Sequence, residues 1–352
     1  MIDKKVTSTH VAALAGVSKS AVSRDLTHGA PVARAASTAL WKRRNAAAEQ
    51  GYRPKVLARA MVSGKTRIIG VKMAYHDNQF YPTALEKLSE ALQAQGYHVL
   101  VFMASNTRED VDGVLQQILD YQVEGSILAS VSLSSDVAAR CRAVGVPVVL
   151  FNRHQDDKPV SSVTSDNRAG GREVARFLAA GGHTRIGYIA GWEGASTQRD
   201  REAGFCAGLA EADRDLFARA VGGYDNAATK VAAFALFDKP EYQRPDAVFV
   251  ANDHMALIVM DILRFELGLD VPGEVSVVGF DDVPGAAWLA YQLTTLRQRA
   301  NRMVEATVAA LLEQIEDPGA APYAVRVAAP LILRKSARVP AGWPQSNKRD
   351  IP

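Results

Sequence analysis

From Arg67 onward the chain alternates short, almost wholly apolar runs with helix-period segments, and this rhythm limits the fold more than any other feature. The runs IIGVKM, HVLVFM, GSILAS and PVVLF are separated by helical patterns over 83–95, 108–121 and 135–144. After a turn the rhythm resumes with VTS, RIGYIAG, AVFVA and VSVVGF around helical patterns at 168–180, 199–212, 227–237 and 254–267. A strand with one wet face alternates apolar and polar residues, whereas a strand covered by helices on both faces has no reason to. The two series therefore predict an α/β body of two doubly wound lobes, with a ligand cleft at the strand C-termini between them. The segment LTTLRQRANRMVEATVAALLEQI follows the last strand of the second lobe and is expected to cross back to the first.

The residues ahead of this body differ in charge. Residues 1–67 hold 13 Lys/Arg against 3 Asp/Glu, so a head of +10 precedes a body of −7. That is the electrostatic outline of a nucleic-acid reader joined to something else. A solvated basic tail accounts for the charge equally well, but not for the pattern. Thr7, Ser8 or Thr9 is placed to cap a short helix with Val11, Ala12, Leu14 and Ala15 on its apolar side. Gly16 ends it where a tight turn needs positive φ. Ser18 then caps a second helix, Lys19 to Leu26, in which Ala21, Val22 and Leu26 pack inward. Two short helices about a glycine turn make a helix-turn-helix, whose second helix offers its first residues to the major groove. On that helix Ser18, Lys19, Ser20, Ser23 and Arg24 are the candidate contacts to bases and phosphates. TALWKRRNAAAEQ reads as a third, basic helix, and Pro54 opens a short element that is too small to be stable alone.

Other functions find little support. Ser63-Gly64-Lys65-Thr66 resembles the end of a phosphate loop, but Arg59 stands where its glycine belongs and a strand follows instead of preceding. Among seven histidines none is paired at zinc-helix spacing, and neither C-x-x-C nor G-x-S-x-G occurs. No enzymatic activity, metal or cofactor is expected. Cys141 and Cys206 suit a reducing compartment. The absence of an export signal and of an 18-residue apolar run points to the cytoplasm rather than a membrane.

VTSTHVAALAGVSKSAVSRDL followed by GYRPKVLARAMVSGKTRIIGV resembles the head and hinge of the lac-repressor (LacI/GalR) family. The resemblance continues through Asn78-Gln79-Phe80-Tyr81, Ser165-Asp166-Asn167, Thr197-Gln198-Arg199-Asp200-Arg201, Ala251-Asn252-Asp253 and Val277-Val278-Gly279-Phe280-Asp281-Asp282, covering about residues 6–335. It implies a DNA-binding domain over 1–53, a hinge helix and linker over 54–66, a two-lobed periplasmic-binding-protein-like body over 67–335 and a tail over 336–352. The implied hinge contacts are Lys55, Ala58 and Met61, with Met61 as the apolar wedge in the minor groove where the family usually has leucine. Between Val32 and Tyr52 the chain is about three residues longer than the family pattern, and Arg43 and Gln50 occupy usually apolar positions.

The resemblance also implies an effector site of Phe80, Asp166, Arg201, Asn252 and Asp281. Arg153, just after PVVLF, joins that rim, with Asn152, Tyr224 and Gln298 beside it. Carboxylate, guanidinium and amide together suit vicinal hydroxyls. Simpler roles compete: Asp166 and Asn252 stand where helix caps belong, and Arg201 and Asp281 have opposite charges at neighbouring strand exits. Trp192 and Trp288 are expected in lobe packing. The expected function is a ligand-responsive transcriptional regulator, a repressor that binds operator DNA as a homodimer under control of a sugar, sugar acid or nucleoside. A free-standing sugar-binding protein shares the body but has no use for the basic head.

Overall fold

The computed structural model describes residues 7–18, 22, 65–73, 78–103, 113, 116–129, 140–141, 143–156 and 160–344. The chain divides into two compact units, Met1–Arg67 and Ile68–Pro352. Lys19, Ser20, Ser23, Arg24, the third helix, Lys55, Ala58 and Met61 lie outside the described residues.

In the first unit, α1 spans Ser8–Ala15 behind an extended Thr7, whose backbone N–H donates to His10 Nδ1 at 3.2 Å. Gly16 closes the helix at φ 63°, a conformation that favours glycine, and Val17 N–H returns to Ala12 O at 3.0 Å. Val11, Ala12 and Val22 form a small core, edged by Ala15 and Val17. Leu14, expected to face inward, is 54% exposed, because it stands about 160° round the helix from Ala12. The Ser18 carbonyl accepts Val22 N–H at 3.2 Å, an α-type bond where the second helix is expected to begin.

The second unit holds two six-stranded sheets. The first comprises β1 (Ile68–Met73), β2 (His98–Met103), β3 (Gly125–Ala129), β4 (Val148–Phe151), β5 (Ser161–Ser165) and β11 (Ala324–Val327), in the order β11-β5-β4-β3-β1-β2. The second comprises β6 (Ile186–Ala190), β7 (Ala218–Val221), β8 (Ala247–Val250), β9 (Ser276–Asp281), β10 (Thr294–Arg297) and β12 (Leu331–Ile332), in the order β12-β10-β9-β8-β6-β7. All neighbours pair in parallel except β10 with β12. β3, β4, β6, β8 and β9 are buried at every position, which is why they carry unbroken apolar runs. Helix α2 (Phe80–Ala94) and α7 (Ala300–Glu316) pack on the first lobe, so the expected return of the chain after β10 occurs.

The second lobe carries α3 (Asn167–Ala180), α4 (Ser196–Glu211), α5 (Asn226–Phe237) and α6 (Asp253–Asp261). The chain also crosses a third time, from β11 back to β12. Residues 336–344, read from the sequence as part of a tail, consequently lie on the second lobe. Ser336 O accepts Val277 N–H at 2.7 Å, and Ser336 Oγ accepts Thr294 N–H at 2.8 Å. Trp343 meets Phe177 edge-on at 5.2 Å. These bonds occupy backbone groups along β9 and β10 that burial leaves no water to satisfy. Trp288 also departs from expectation: it is 56% exposed, beside a fully exposed Leu289, while Trp192 is half-buried.

Candidate ligand cleft

Two glycines fix the geometry of one wall. On α3 the inward positions are Asn167, Gly170, Gly171, Val174, Ala175 and Leu178, a stripe of helical period. A Cβ on Gly171 would stand 2.2 Å from Arg201 O, and one on Gly204 would stand 2.1 Å from Arg168 O. Helices α3 and α4 therefore touch backbone to backbone, and this contact places Arg201.

Arg201 is 2% exposed and closely held. Its Nε donates to Asn167 Oδ1 at 2.9 Å, its Nη1 to Ala251 O at 2.5 Å, and its guanidinium carbon lies 3.6 Å over the Phe280 ring. Nη2 stands 3.7 Å from Asp281 Oδ1, an ion pair as the opposite charges imply. Asp281 is the meeting point of the cleft. Asn78 Nδ2, from the first lobe, donates to its Oδ2 at 2.9 Å, and Gln298 Nε2, from the crossover, donates to its Oδ1 at 2.6 Å. Burial pushes the Asp281 carboxyl up from the ordinary carboxylate range, against the pull of Arg201, Asn78, Gln298 and, more weakly, Arg153.

The turn carrying Asp281 is strained. Asp281 and the following Asp282 have φ of 135° and 58°. Non-glycine residues hold such values only when the surroundings impose them. Here Arg297 and Arg334 each grip Asp282 at 2.6 Å. Beneath, Asp253 accepts Val283 N–H at 3.0 Å and bonds Thr295 Oγ1 at 2.5 Å. Complete burial, and then the neighbouring Asp281 charge, pushes Asp253 up to about 8.

The other expected residues take distinct places. Phe80 stacks on Phe151 at 6.1 Å and is 5% exposed, while its N–H bonds Asn78 Oδ1. Asn252 is buried and caps α6 by accepting Met255 N–H at 3.0 Å. Asp166 caps α3 through Ala169 N–H at 3.1 Å and remains half-exposed, so the neighbouring Asn167, not Asp166, bonds Arg201. Asn152, at φ 55°, donates to Tyr81 OH at 3.1 Å and leaves its buried Oδ1 unbonded. Arg153 is 3% exposed, donates through Nη1 to Thr197 Oγ1, and lies 5.9 Å from the Tyr224 ring centre.

The loop after β4 thus clasps the first turn of α4. His154 N–H reaches Ser196 Oγ at 3.0 Å, and His154 Nε2 meets Asp200 Oδ2 at 2.6 Å. Although burial opposes it, bonding to His154 and Arg168 holds the Asp200 carboxyl below its ordinary value. Sequence reasoning places Arg153 on the effector rim but gives His154, Ser196 and Asp200 no role, because they do their work only once two lobes face each other. α4 also begins at Ser196, three residues ahead of the helix expected from 199, which puts Thr197 and Gln198 on its first turn.

A family model described as a periplasmic binding protein-like domain matches residues 174–337. The HTH-type transcriptional repressor PurR of Aliivibrio fischeri (strain MJ11) is 27% identical over 310 residues, covering 87% of this chain and 91% of that one. The HTH-type transcriptional regulator KdgR of Bacillus subtilis (strain 168) is 26% identical over 341 residues, covering 95% and 99%. Among solved structures, the lac repressor dimer bound to operator and the anti-inducer ONPF aligns over 95% of this chain and 99% of that one, with TM-score 0.81 and 26% identity. The chain is thus similar, over nearly its whole length, to lac-repressor-type transcriptional regulators. A transcriptional regulator CelR–cellobiose complex also aligns, over 95% and 100% of the chains, with TM-score 0.70 and 25% identity. The relatives named above are transcriptional regulators. No helix among the described residues is long and apolar enough to cross a membrane.

Proposed function

We propose that the cleft of this regulator takes a small hydroxylated effector, a sugar or a close derivative, and that occupancy sets the affinity of the head for operator DNA. The observation that supports this best is Asp281: one buried carboxylate contacts both lobes and the crossover at once. A ligand that competes for its oxygens changes what holds the lobes together, and so shifts their equilibrium. Arg153, Arg201, Asn252 and Asp281 supply donors and acceptors, with Phe80, Asn152, Tyr224 and Gln298 completing the lining.

The working form is a cytoplasmic homodimer, since one helix-turn-helix reads one half-site of a pseudo-palindromic operator. The exposed apolar side chains of the body, Leu289 at 94%, Phe265 at 80%, Val231 at 69% and Trp288, favour such an association. Light scattering checks the dimer. Thermal-shift screening against sugars, sugar acids and nucleosides, followed by calorimetry on Asp281→Asn, checks the cleft. Wild-type effector affinity in that variant removes Asp281 from the site.

A further inference from the structure

The two guanidinium groups of the cleft are equally buried but unequally satisfied. Arg201 has hydrogen-bond acceptors for Nε and Nη1 and a carboxylate facing Nη2. Among the described residues Arg153 makes one hydrogen bond, to the neutral Thr197 hydroxyl, and its buried Nε–H has no acceptor. No carboxylate among the described residues lies within 4 Å of the Arg153 guanidinium. Among the described residues the nearby carboxylates make their direct bonds elsewhere: Asp281 to Asn78, Gln298 and Arg201, Asp200 to His154 and Arg168, and Asp156 to Arg199. Arg153 therefore feels the Asp281 charge only from a distance. Next to Arg153, Asn152 holds a buried amide oxygen with no donor.

Arg153 shares the single charge of Asp281 with Arg201, and neutral hydroxyls do not neutralise a second buried cation. The planar fork of arginine matches a carboxylate or phosphate in two parallel bonds. We propose that Arg153 anchors an anionic group of the effector, a carboxylate or a phosphate, so that the cleft prefers a charged sugar to its neutral counterpart. The inference rests on the cleft being the effector site. Asn152 Oδ1 then accepts a hydroxyl of the same ligand, and the Tyr224 ring covers the guanidinium.

The experiment uses the full-length chain and matched probes: D-glucose against D-gluconate, D-glucuronate and D-glucose 6-phosphate, and D-ribose against D-ribose 5-phosphate. Acetate and inorganic phosphate, compared with chloride at equal ionic strength, probe the anchor alone. Affinities are measured for wild type, Arg153→Gln, Arg153→Lys and Asp281→Asn. The expected result is at least tenfold tighter binding of a charged probe than of its neutral partner. That preference disappears in Arg153→Gln and returns in part in Arg153→Lys, and the carboxylate and phosphate arms tell the two groups apart. If no sugar binds, acetate or phosphate is still expected to stabilise wild type more than Arg153→Gln. Equal binding of neutral and charged partners, a preference that survives in Arg153→Gln, or anion effects identical in the two proteins overturns the proposal. Neutral-sugar binding that is lost in Asp281→Asn keeps the cleft and removes only the anionic anchor. Sugar binding indifferent to Asp281→Asn removes the cleft itself.

Discussion

Asn78 and Asp281 are 203 residues apart in sequence and belong to different lobes, yet the amide Nδ2 of one donates to the carboxylate Oδ2 of the other at 2.9 Å. Asn78 is itself fixed, because its Oδ1 accepts the N–H of Phe80 at the start of α2. The first lobe thereby holds the second by its main acidic group. Asn78→Ala leaves Asp281 Oδ2 without that donor. A hydrogen bond to a charged acceptor contributes about 1.5–3 kcal/mol, and an effector that competes for the same oxygen no longer has to displace it, so effector affinity is expected to rise about 10- to 100-fold. Calorimetry of the variant checks this, and an affinity within twofold of wild type removes Asn78 from the site.

The close crossing of α3 and α4 makes a second prediction. Gly204→Ala drives a methyl group into Arg168 O, and the only relief is to move α4 outward with Arg201 on it. Overpacking of this kind costs about 1–3 kcal/mol, and more where the obstacle is backbone. The variant is expected to melt lower and to lose effector response together. Unchanged melting shows that the helices part easily.

Asp253 carries a pH signature. With its carboxyl pushed up to about 8 in the folded chain and near 4 in the unfolded one, the folded state binds the extra proton between those values. Stability then falls as pH rises across that window, by at most about 1.4 kcal/mol per pH unit, and this contribution levels off above it. Asp253→Asn keeps an acceptor for Val283 N–H and presents an amide N–H to Thr295 Oγ1, whose hydroxyl donates to Asp253 Oδ1 in the wild type. Denaturant melts at pH 5, 7 and 9 are expected to show wild type losing stability relative to the variant. Parallel curves would mean that Asp253 is ionised throughout.

The head of +10 makes operator binding steeply salt-dependent, because each neutralised phosphate releases counterions. Between about 50 and 200 mM salt, a protein with several phosphate contacts loses orders of magnitude in affinity. Binding that stays flat over this range contradicts the reading of the head as the DNA-contacting unit.

Much of the body is legible in the sequence because burial on both faces leaves an apolar run in inner strands such as β4, β6, β8 and β9, although the equally buried β5 (SSVTS) is polar. PVVLF and VSVVGF have no other economical use than a covered sheet, and the helix after β10 had to lie against something the second lobe did not offer. The charges of Arg201 and Asp281 also find each other as their strand exits imply. What is not legible depends on long-range geometry. Asp166 and Asn167 are equally polar neighbours, and only the α3–α4 contact decides that Asn167 meets Arg201 while Asp166 caps. Ser336 looks like the start of a tail because its partners are backbone groups of β9 and β10, which carry no sequence signal, and Trp343 because its partner Phe177 lies far away in sequence. The extent of Arg201's anchoring has a practical consequence. Arg201→Ala, which from sequence reads as a clean loss of ligand contact, is expected to strand Asn167 Oδ1 and Ala251 O and lower stability by about 1–3 kcal/mol per group.

Asp281→Asn is the cleaner probe, since it keeps the shape of the side chain and removes the charge. Operator affinity is to be measured by fluorescence anisotropy, with and without the ligand that most raises the melting temperature, in wild type and in Asp281→Asn. The account predicts at least a tenfold change of operator affinity on adding ligand to wild type. For Asp281→Asn it predicts no such change on adding the same ligand. A variant that responds like wild type, or a ligand that binds the wild-type cleft and leaves operator affinity untouched, contradicts it.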